Sequence, residues 1–354
     1  MFSPKQVHVV QQGVKDSIKN PFHPLEEAIH KAERSKGIVE TRYMSAGKYW
    51  EPVETSHQTF SRNQLTCWSL ETLQKVQNEF SDFEFILDCG AGAFGRVWLV
   101  RDISEQIIAL KVIPKSDLAQ KELKSLIIYR KHIKSFQHLI QIYHVGQTES
   151  FLFYTMEASY SADQERYIPL TLDYLITNKQ VADTNIPKTL SEILSGTALL
   201  HENQLAHYDI KPTNILIFDN VMKLGDISLV SAFSDLFDGG TLPFIPPDLR
   251  RTKRHFVKDE NRGIDCDLYA VGKILYLMLS GSTLKSFPKV SLKKLESQQG
   301  QYLNRVLNKA CASERQERYG NALDFLEDLN VEKNRFHMKG DKKGFLDALR
   351  GFTE

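Results

Sequence analysis

Eight consecutive residues, His207-Tyr208-Asp209-Ile210-Lys211-Pro212-Thr213-Asn214, constrain this 354-residue chain more than any others. Together with Asp226, twelve positions after Asn214, they bring a base, a cation and two oxygen groups of the kind hard cations prefer into one short stretch. Asp209 and Asn214 are five apart, with Lys211 between them. The apolar runs Ile215-Leu216-Ile217-Phe218 and Val221-Met222-Lys223-Leu224 follow, which reads as a loop feeding a two-stranded hairpin. Asn214 enters that hairpin and Asp226 leaves it, so both groups are expected on one side of a cleft.

Upstream, Gly90-Ala91-Gly92-Ala93-Phe94-Gly95-Arg96-Val97 lies between the apolar runs Phe83–Leu87 and Val97–Val100. Glycines of this spacing let backbone approach a polyphosphate closely, although a lone glycine-rich hairpin is more often just a turn. The run after Gly95 has a strand pattern, which argues against a dinucleotide-binding fold, where a helix should follow. Ile107-Ile108-Ala109-Leu110-Lys111-Val112-Ile113 predicts a strand carrying one lysine. Lys111 is either a surface residue on an edge strand or a phosphate anchor. Glu122 opens a helical pattern with Leu123, Leu126 and Ile127 on one face, and is either a solvated helix charge or the anion that holds Lys111.

Downstream, Gly240-Thr241-Leu242-Pro243-Phe244-Ile245-Pro246-Pro247-Asp248, then Asp267-Leu268-Tyr269-Ala270-Val271-Gly272 with its apolar continuation Ile274–Leu279, and finally Arg318, complete the series. In content and order these motifs resemble the protein kinase superfamily, and in phrasing the eukaryotic-like serine/threonine kinases of planctomycete-related bacteria. The resemblance implies an α+β, bilobal protein-kinase-like fold, with a small β-rich N-lobe over about residues 80–157 and a larger helical C-lobe over about 158–330. It implies magnesium-dependent transfer of the γ-phosphate of ATP to serine or threonine hydroxyls of a protein substrate. Gly90, Ala91, Gly92, Ala93, Phe94 and Gly95 would cover the phosphates. Lys111 would fix the α and β phosphates, oriented by Glu122. Asn214 and Asp226 would hold magnesium. Asp209 would orient the acceptor hydroxyl and take its proton, Lys211 would offset charge on the γ-phosphate, and Thr241 would contact both. Val97, Ala109 and Leu216 would enclose adenine, with Met156 as gatekeeper and Glu157-Ala158 as hinge. Arg318 would pair with Asp248.

The departures from the pattern are specific. Tyr208 stands where many kinases have the arginine that receives an activation-loop phosphate, and the segment from Asp226 to Asp248 is short. Activity is therefore expected not to require phosphorylation of Ser231 or Ser234. Ser228 replaces the glycine of the metal-binding loop, which restricts its flip, and Pro247-Asp248 replaces Pro-Glu. These changes also fit a pseudokinase acting as a nucleotide-binding interaction module. A small-molecule kinase of related fold is the other alternative, although it would lack the segment from Gly240 to Asp248 and its partner Arg318.

A net charge of +1 gives no case for a nucleic-acid or anionic-membrane partner. No apolar run approaches the ~20 residues of a membrane span, and Met1–Val10 lacks a signal-peptide core. Cys67, Cys89, Cys266 and Cys311 show no paired spacing, so neither disulfides nor zinc are expected, and a reducing cytoplasm fits. Residues 1–66 read as an extension of unknown role open to a regulatory partner, 67–330 as the kinase domain, and 331–354 as a lysine-rich tail. A helix from Leu70 to Phe80, capped by Ser69, is expected to lead into the first strand.

Overall fold

The computed structural model describes residues 68–91, 95–159, 170–233, 240–250, 261–281 and 284–334. The extension over residues 1–66, the tail beyond residue 334, and Gly92, Ala93, Phe94 and Ser234 lie outside the described residues. The chain divides into two compact units. Of the described residues, one unit holds those from 68 to 126 and from 141 to 170, and the other those from 127 to 140 and from 171 onward.

The first unit is a five-stranded antiparallel sheet built from β1 (Glu84–Ala91), β2 (Arg96–Arg101), β3 (Ile107–Pro114), β4 (Ile142–Gln147) and β5 (Phe151–Met156). Its strand order is β1-β2-β3-β5-β4. Strand β3 is buried along nearly its whole length, as its unbroken apolar run requires of a central strand. Helix α1 (Leu70–Glu79) starts at Ser69, whose hydroxyl accepts the N–H of Thr72 at 3.2 Å. The α1 residues Leu73 and Val76, with Phe80 just beyond, pack into one core with Phe85, Trp98, Val100, Leu110, Val112 and Phe151. Trp68 closes that core edge-on to Trp98, with ring centroids 5.5 Å apart. Among the described residues the core of the sheet unit includes Trp68 and helix α1. Each of these side chains contributes about 1.5–3 kcal/mol by leaving water, so α1, which leads into β1 as expected, is also packed into this unit.

Between β3 and β4 runs helix α2 (Asp117–His132). Its buried stripe is Ala119, Glu122, Leu126 and Tyr129. Ile127, expected on the apolar face, is exposed. Glu122 itself occupies the inward position one turn before Leu126, which moves the face by about one residue from the apolar reading.

The second unit is mostly helical. It contains α3 (Leu172–Thr177), α4 (Ile186–Glu202), the two-residue strand β6 (Leu205–Ala206), the hairpin β7 (Ile215–Phe218) and β8 (Val221–Leu224), and the two-residue strand β9 (Ser231–Ala232). Then follow α5 (Pro247–Arg250), α6 (Arg262–Ser280), α7 (Leu292–Leu295), α8 (Gln298–Ala310) and α9 (Ala322–Asn334). Helix α6 is buried continuously from Asp265 to Leu279, as expected of a sequence apolar on all sides. It ends at Gly281 in the left-handed conformation, φ 56°, whose N–H donates to Leu277 O at 2.9 Å. Strand β6 pairs with β9, and β7 with β8, so the segments carrying Asp209, Asn214 and Asp226 leave two small sheets of this one unit.

Candidate active site

In the sheet unit, Lys111 sits on β3 opposite Tyr154 of β5. Its Nζ lies 2.8 Å from Glu122 Oε1, with the two side chains 8% and 0% exposed. Of the two readings open in the sequence, the buried pair holds and the solvated-charge reading fails for both residues. A carboxylate and an ammonium taken this far from water persist only together, because removing either leaves a buried charge uncompensated.

The glycine motif is partly visible. Gly90 takes φ +110°, a conformation L side chains rarely adopt, and its N–H donates to Asp88 Oδ1 at 3.0 Å. At Gly95 a Cβ would come within 2.5 Å of Val112 O, so the chain must be bare there to run so close to β3. Arg96 lies beside the rings of Trp68 and Trp98 and pairs with Asp88, which ties the base of the turn to the aromatic core. Val97, Ala91 and Met156 are partly buried, while Ala109 is buried directly opposite Met156. The N–H of Glu157 is already committed to Gln141 O at 3.1 Å, and its carboxylate accepts the N–H of Gln141 at 2.7 Å.

In the helical unit the loop after β6 is pinned from below by one carboxylate. Asp267 of α6, wholly buried, accepts the N–H of His207 and the N–H of Tyr208, each at 2.8 Å. His201 Nε2 lies 3.0 Å from the same carboxylate. These bonds hold Tyr208 at φ 62°, a strained value for a bulky residue that persists only where its surroundings over-determine it. The tyrosine ring packs with Ala206 and Cys266, bordered by Leu229, Phe233 and Leu249. A hydrophobic cluster thus occupies the position where the arginine-bearing pattern would place a charge. Asp267 was read in sequence only as the start of a helix. An acid followed by a long apolar helical run is the signal that it must be paired.

The strained turn aims Asp209 into a compact polar network. Lys211 Nζ lies 2.6 Å from Asp209 Oδ2, and Thr241 Oγ1 donates to Asp209 Oδ1 at 2.6 Å. Lys211 Nζ also donates to Thr241 Oγ1 at 3.1 Å. Gly240, at φ +93°, turns the chain so that Thr241 can reach; a Cβ there would lie 2.7 Å from Tyr208 O. Asn214 Nδ2 donates to Asp209 O at 2.9 Å and to Oδ2 at 3.2 Å.

Ile215 pairs with Leu224 in the hairpin, and the N–H of Gly225 donates to Asn214 O at 2.8 Å. Asn214 and Asp226 therefore leave the open end of the hairpin side by side, as the sequence pattern predicts. Asp226 is left-handed, φ 48° and ψ 70°, and Ser228 Oγ donates to its Oδ1 at 2.5 Å. The donor set fits a hard divalent cation. The amide nitrogen of Asn214 is committed to Asp209, which turns its oxygen away, and a half-buried carboxylate stands next to it. Among the described residues no cluster of three or more His, Cys, Asp or Glu side chains is arranged to hold a metal by itself. Leu216, on the same hairpin, is partly buried. Further along, Arg318 Nη2 meets Asp248 Oδ1 at 2.6 Å, with the arginine side chain 2% exposed, so the shorter acid still reaches.

Cys89, Cys266 and Cys311 are free thiols, and among the described residues no helix is long and apolar enough to cross a membrane. A family model for the protein kinase domain matches residues 83–336. The chain is 27% identical over 222 residues to serine/threonine-protein kinase cds1 of Schizosaccharomyces pombe, covering 58% of this chain and 46% of that protein. It is 29% identical over 205 residues to calcium-dependent protein kinase 4 of Plasmodium berghei, covering 54% and 36%. It is 28% identical over 276 residues to an Aurora kinase of Eremothecium gossypii, covering 75% and 70%. The chain spans less than half the length of the first two relatives. With the family model matching well over half of the sequence, and the fold and residue order agreeing with it, this chain is a member of the protein kinase domain family.

Proposed function

We propose that the chain is a serine/threonine protein kinase that moves the γ-phosphate of ATP to a hydroxyl of a protein substrate, with magnesium. The observation that carries this reading is the Asp209, Lys211, Thr241 and Asn214 network, set beside Asp226 at the mouth of the hairpin. Position and charge compensation make up most of the catalysis of phosphoryl transfer, so residues already held in place by neighbours can supply it without rearranging. Magnesium, held by Asn214 and Asp226, would offset the negative charge of the phosphate oxygens. Lys111 is assigned to the α and β phosphates, and its buried partner Glu122 fixes where it stands. Asp209 receives the acceptor hydroxyl and its proton. Lys211, already in contact with Asp209, offsets charge on the γ-phosphate. Thr241 holds both in register and marks where the acceptor peptide passes. Val97, Ala109, Met156 and Leu216 are assigned to the adenine, and Gly90 and Ala91, with Gly92, Ala93, Phe94 and Gly95, to the phosphates.

The lysine after the catalytic aspartate supports the serine/threonine class, and the similarity to serine/threonine-protein kinase cds1 agrees. The aromatic packing of Tyr208 supports activity without activation-loop phosphorylation, since the segment is held there by apolar contacts rather than by a phosphate receptor. The test is transfer of radiolabelled phosphate from magnesium-ATP to a generic basic protein. The expected result is labelling that falls by about 100-fold or more in Asp209→Ala. Equal labelling by that variant and the unaltered chain would overturn the reading.

A further inference from the structure

Glu122 has a second donor. The phenol of Tyr154 donates to Glu122 Oε1 at 3.0 Å, the same oxygen that meets Lys111 at 2.8 Å. The lysine Nζ also lies 5.6 Å from the centroid of the Tyr154 ring. Tyr154 is 1% exposed and faces Lys111 directly across the β3–β5 ladder. Three residues from three elements of the sheet unit thus meet around one carboxylate oxygen. The sequence motifs assign no role in phosphoryl transfer to Tyr154.

We infer that Tyr154 is a positioning residue for the phosphate-anchoring lysine, a reading that rests on the proposed kinase activity and deepens it. Neighbouring residues on facing strands share one side of the sheet, so the ring forms a floor for the ammonium while the hydroxyl reaches the acid on α2. A carboxylate held by two donors from one sheet cannot swing away with its helix unless both bonds break. When Lys111 turns part of its hydrogen-bonding capacity toward phosphate oxygens, the phenol keeps Glu122 in place. The lysine–glutamate pair is thereby assembled by the sheet itself, with no requirement for a partner protein or a phosphate to press α2 inward. The residue acts through Glu122 and does not touch the substrate.

Tyr154→Phe keeps the ring and removes only the hydroxyl. It is expected to lower kcat/KM for ATP roughly tenfold, the usual worth of a hydrogen bond to a charged group, and to leave KM for the acceptor protein unchanged. In a Glu122→Leu background, where the acceptor is gone, the same change is expected to have less than a twofold effect. An equal loss in both backgrounds, or an unaltered kcat/KM in Tyr154→Phe with only a lowered melting temperature, overturns the assignment. Where Glu122→Leu does not fold, the single variant decides by the same two kinetic readouts. Absence of transfer by the unaltered chain above the Asp209→Ala background overturns the kinase reading itself, and is distinguishable because Tyr154→Phe then has nothing to lower.

Discussion

Lys111 and Lys273 are buried to almost the same degree, 6% and 5% exposed, one in each unit, yet their surroundings differ completely. Their sequence contexts are alike, each a single lysine within an apolar run. Lys111 meets a carboxylate at 2.8 Å. Lys273 on α6 lies over aromatic rings, 3.3 Å from the centroid of Phe287 and 5.9 Å from that of Tyr269. Burial pushes the Lys273 ammonium down to about 8, with nearby Arg250 adding to the effect and Cys311 opposing it. A buried cation given a fixed anion keeps its charge in one place and can share it with a ligand. A buried cation given ring faces is tolerated, and its charge is discouraged. The partner, rather than the depth, separates the lysine proposed to anchor phosphate from the one packed on rings.

The sharpest way to break this comparison is to remove each charge in turn. Lys111→Met is expected to lower phosphoryl transfer by roughly 100- to 1,000-fold, the scale seen when one charge-stabilising donor is lost from an active site. Lys273→Met is expected to stay within about twofold of the unaltered chain, because methionine keeps the apolar stem that packs on the rings. Both are read from initial rates with radiolabelled ATP. Comparable losses in the two variants would show that burial, and not pairing, marks the functional cation.

A third buried cation sharpens the rule in the helical unit. Arg318 pairs with Asp248, and also donates to Ala312 O at 2.8 Å and Ser313 O at 3.0 Å. Asp248→Ala leaves this guanidinium with carbonyls and the Tyr269 ring, and because the acid is 38% exposed the expected loss is about 1–2 kcal/mol. At roughly 2–4 °C per kcal/mol for a domain of this size, the melting temperature should fall by about 2–8 °C. Asp248→Glu should recover most of it, since the pair needs only the carboxylate. A fall of less than about 2 °C in the alanine variant would mean that the two carbonyls suffice.

How far these sites were legible in the sequence follows from the same contrast. The polar motifs were readable because each needs a residue type that is out of place in a core. Asp209, Lys211, Asn214 and Asp226 lie within one loop and one hairpin, so their spacing in sequence is close to their spacing in space. Glu122 was found as a position, but one of its apolar companions, Ile127, was misjudged, because the acid itself fills the inward slot that an apolar count leaves blank. Tyr154 and Asp267 were missed as working residues for a different reason. A tyrosine in a strand and an aspartate at a helix start both have ordinary local explanations, and only the contact across the fold shows the bond each one makes. The packing of α1 was likewise invisible. Its caps and apolar stripe predict a helix, but nothing in the residues says which sheet face it covers.

The smallest effect concerns the titration of Lys273 itself. Below about pH 8 the ammonium is charged in the folded and unfolded chain alike, and burial of the charge simply lowers stability. Between about 8 and the ordinary lysine value of 10.5 the folded chain has released the proton while the unfolded chain still binds it. Stability contributed by this group therefore rises with pH across that window. The nearby thiol of Cys311, which burial pushes up to about 12 from 9.0, acts in the opposite sense as its unfolded form ionises. The informative quantity is thus the difference between Cys311→Ala and Cys311→Ala/Lys273→Met, because the thiol and the ammonium shift each other. Urea unfolding at pH 7.5 should show the methionine variant more stable by about 1 kcal/mol, since part of the desolvation cost is offset by the rings. That advantage should shrink steadily toward pH 10. An advantage independent of pH would mean that the ammonium is held at its ordinary value by Phe287 and Tyr269, and that ring faces can substitute for the carboxylate Lys111 requires.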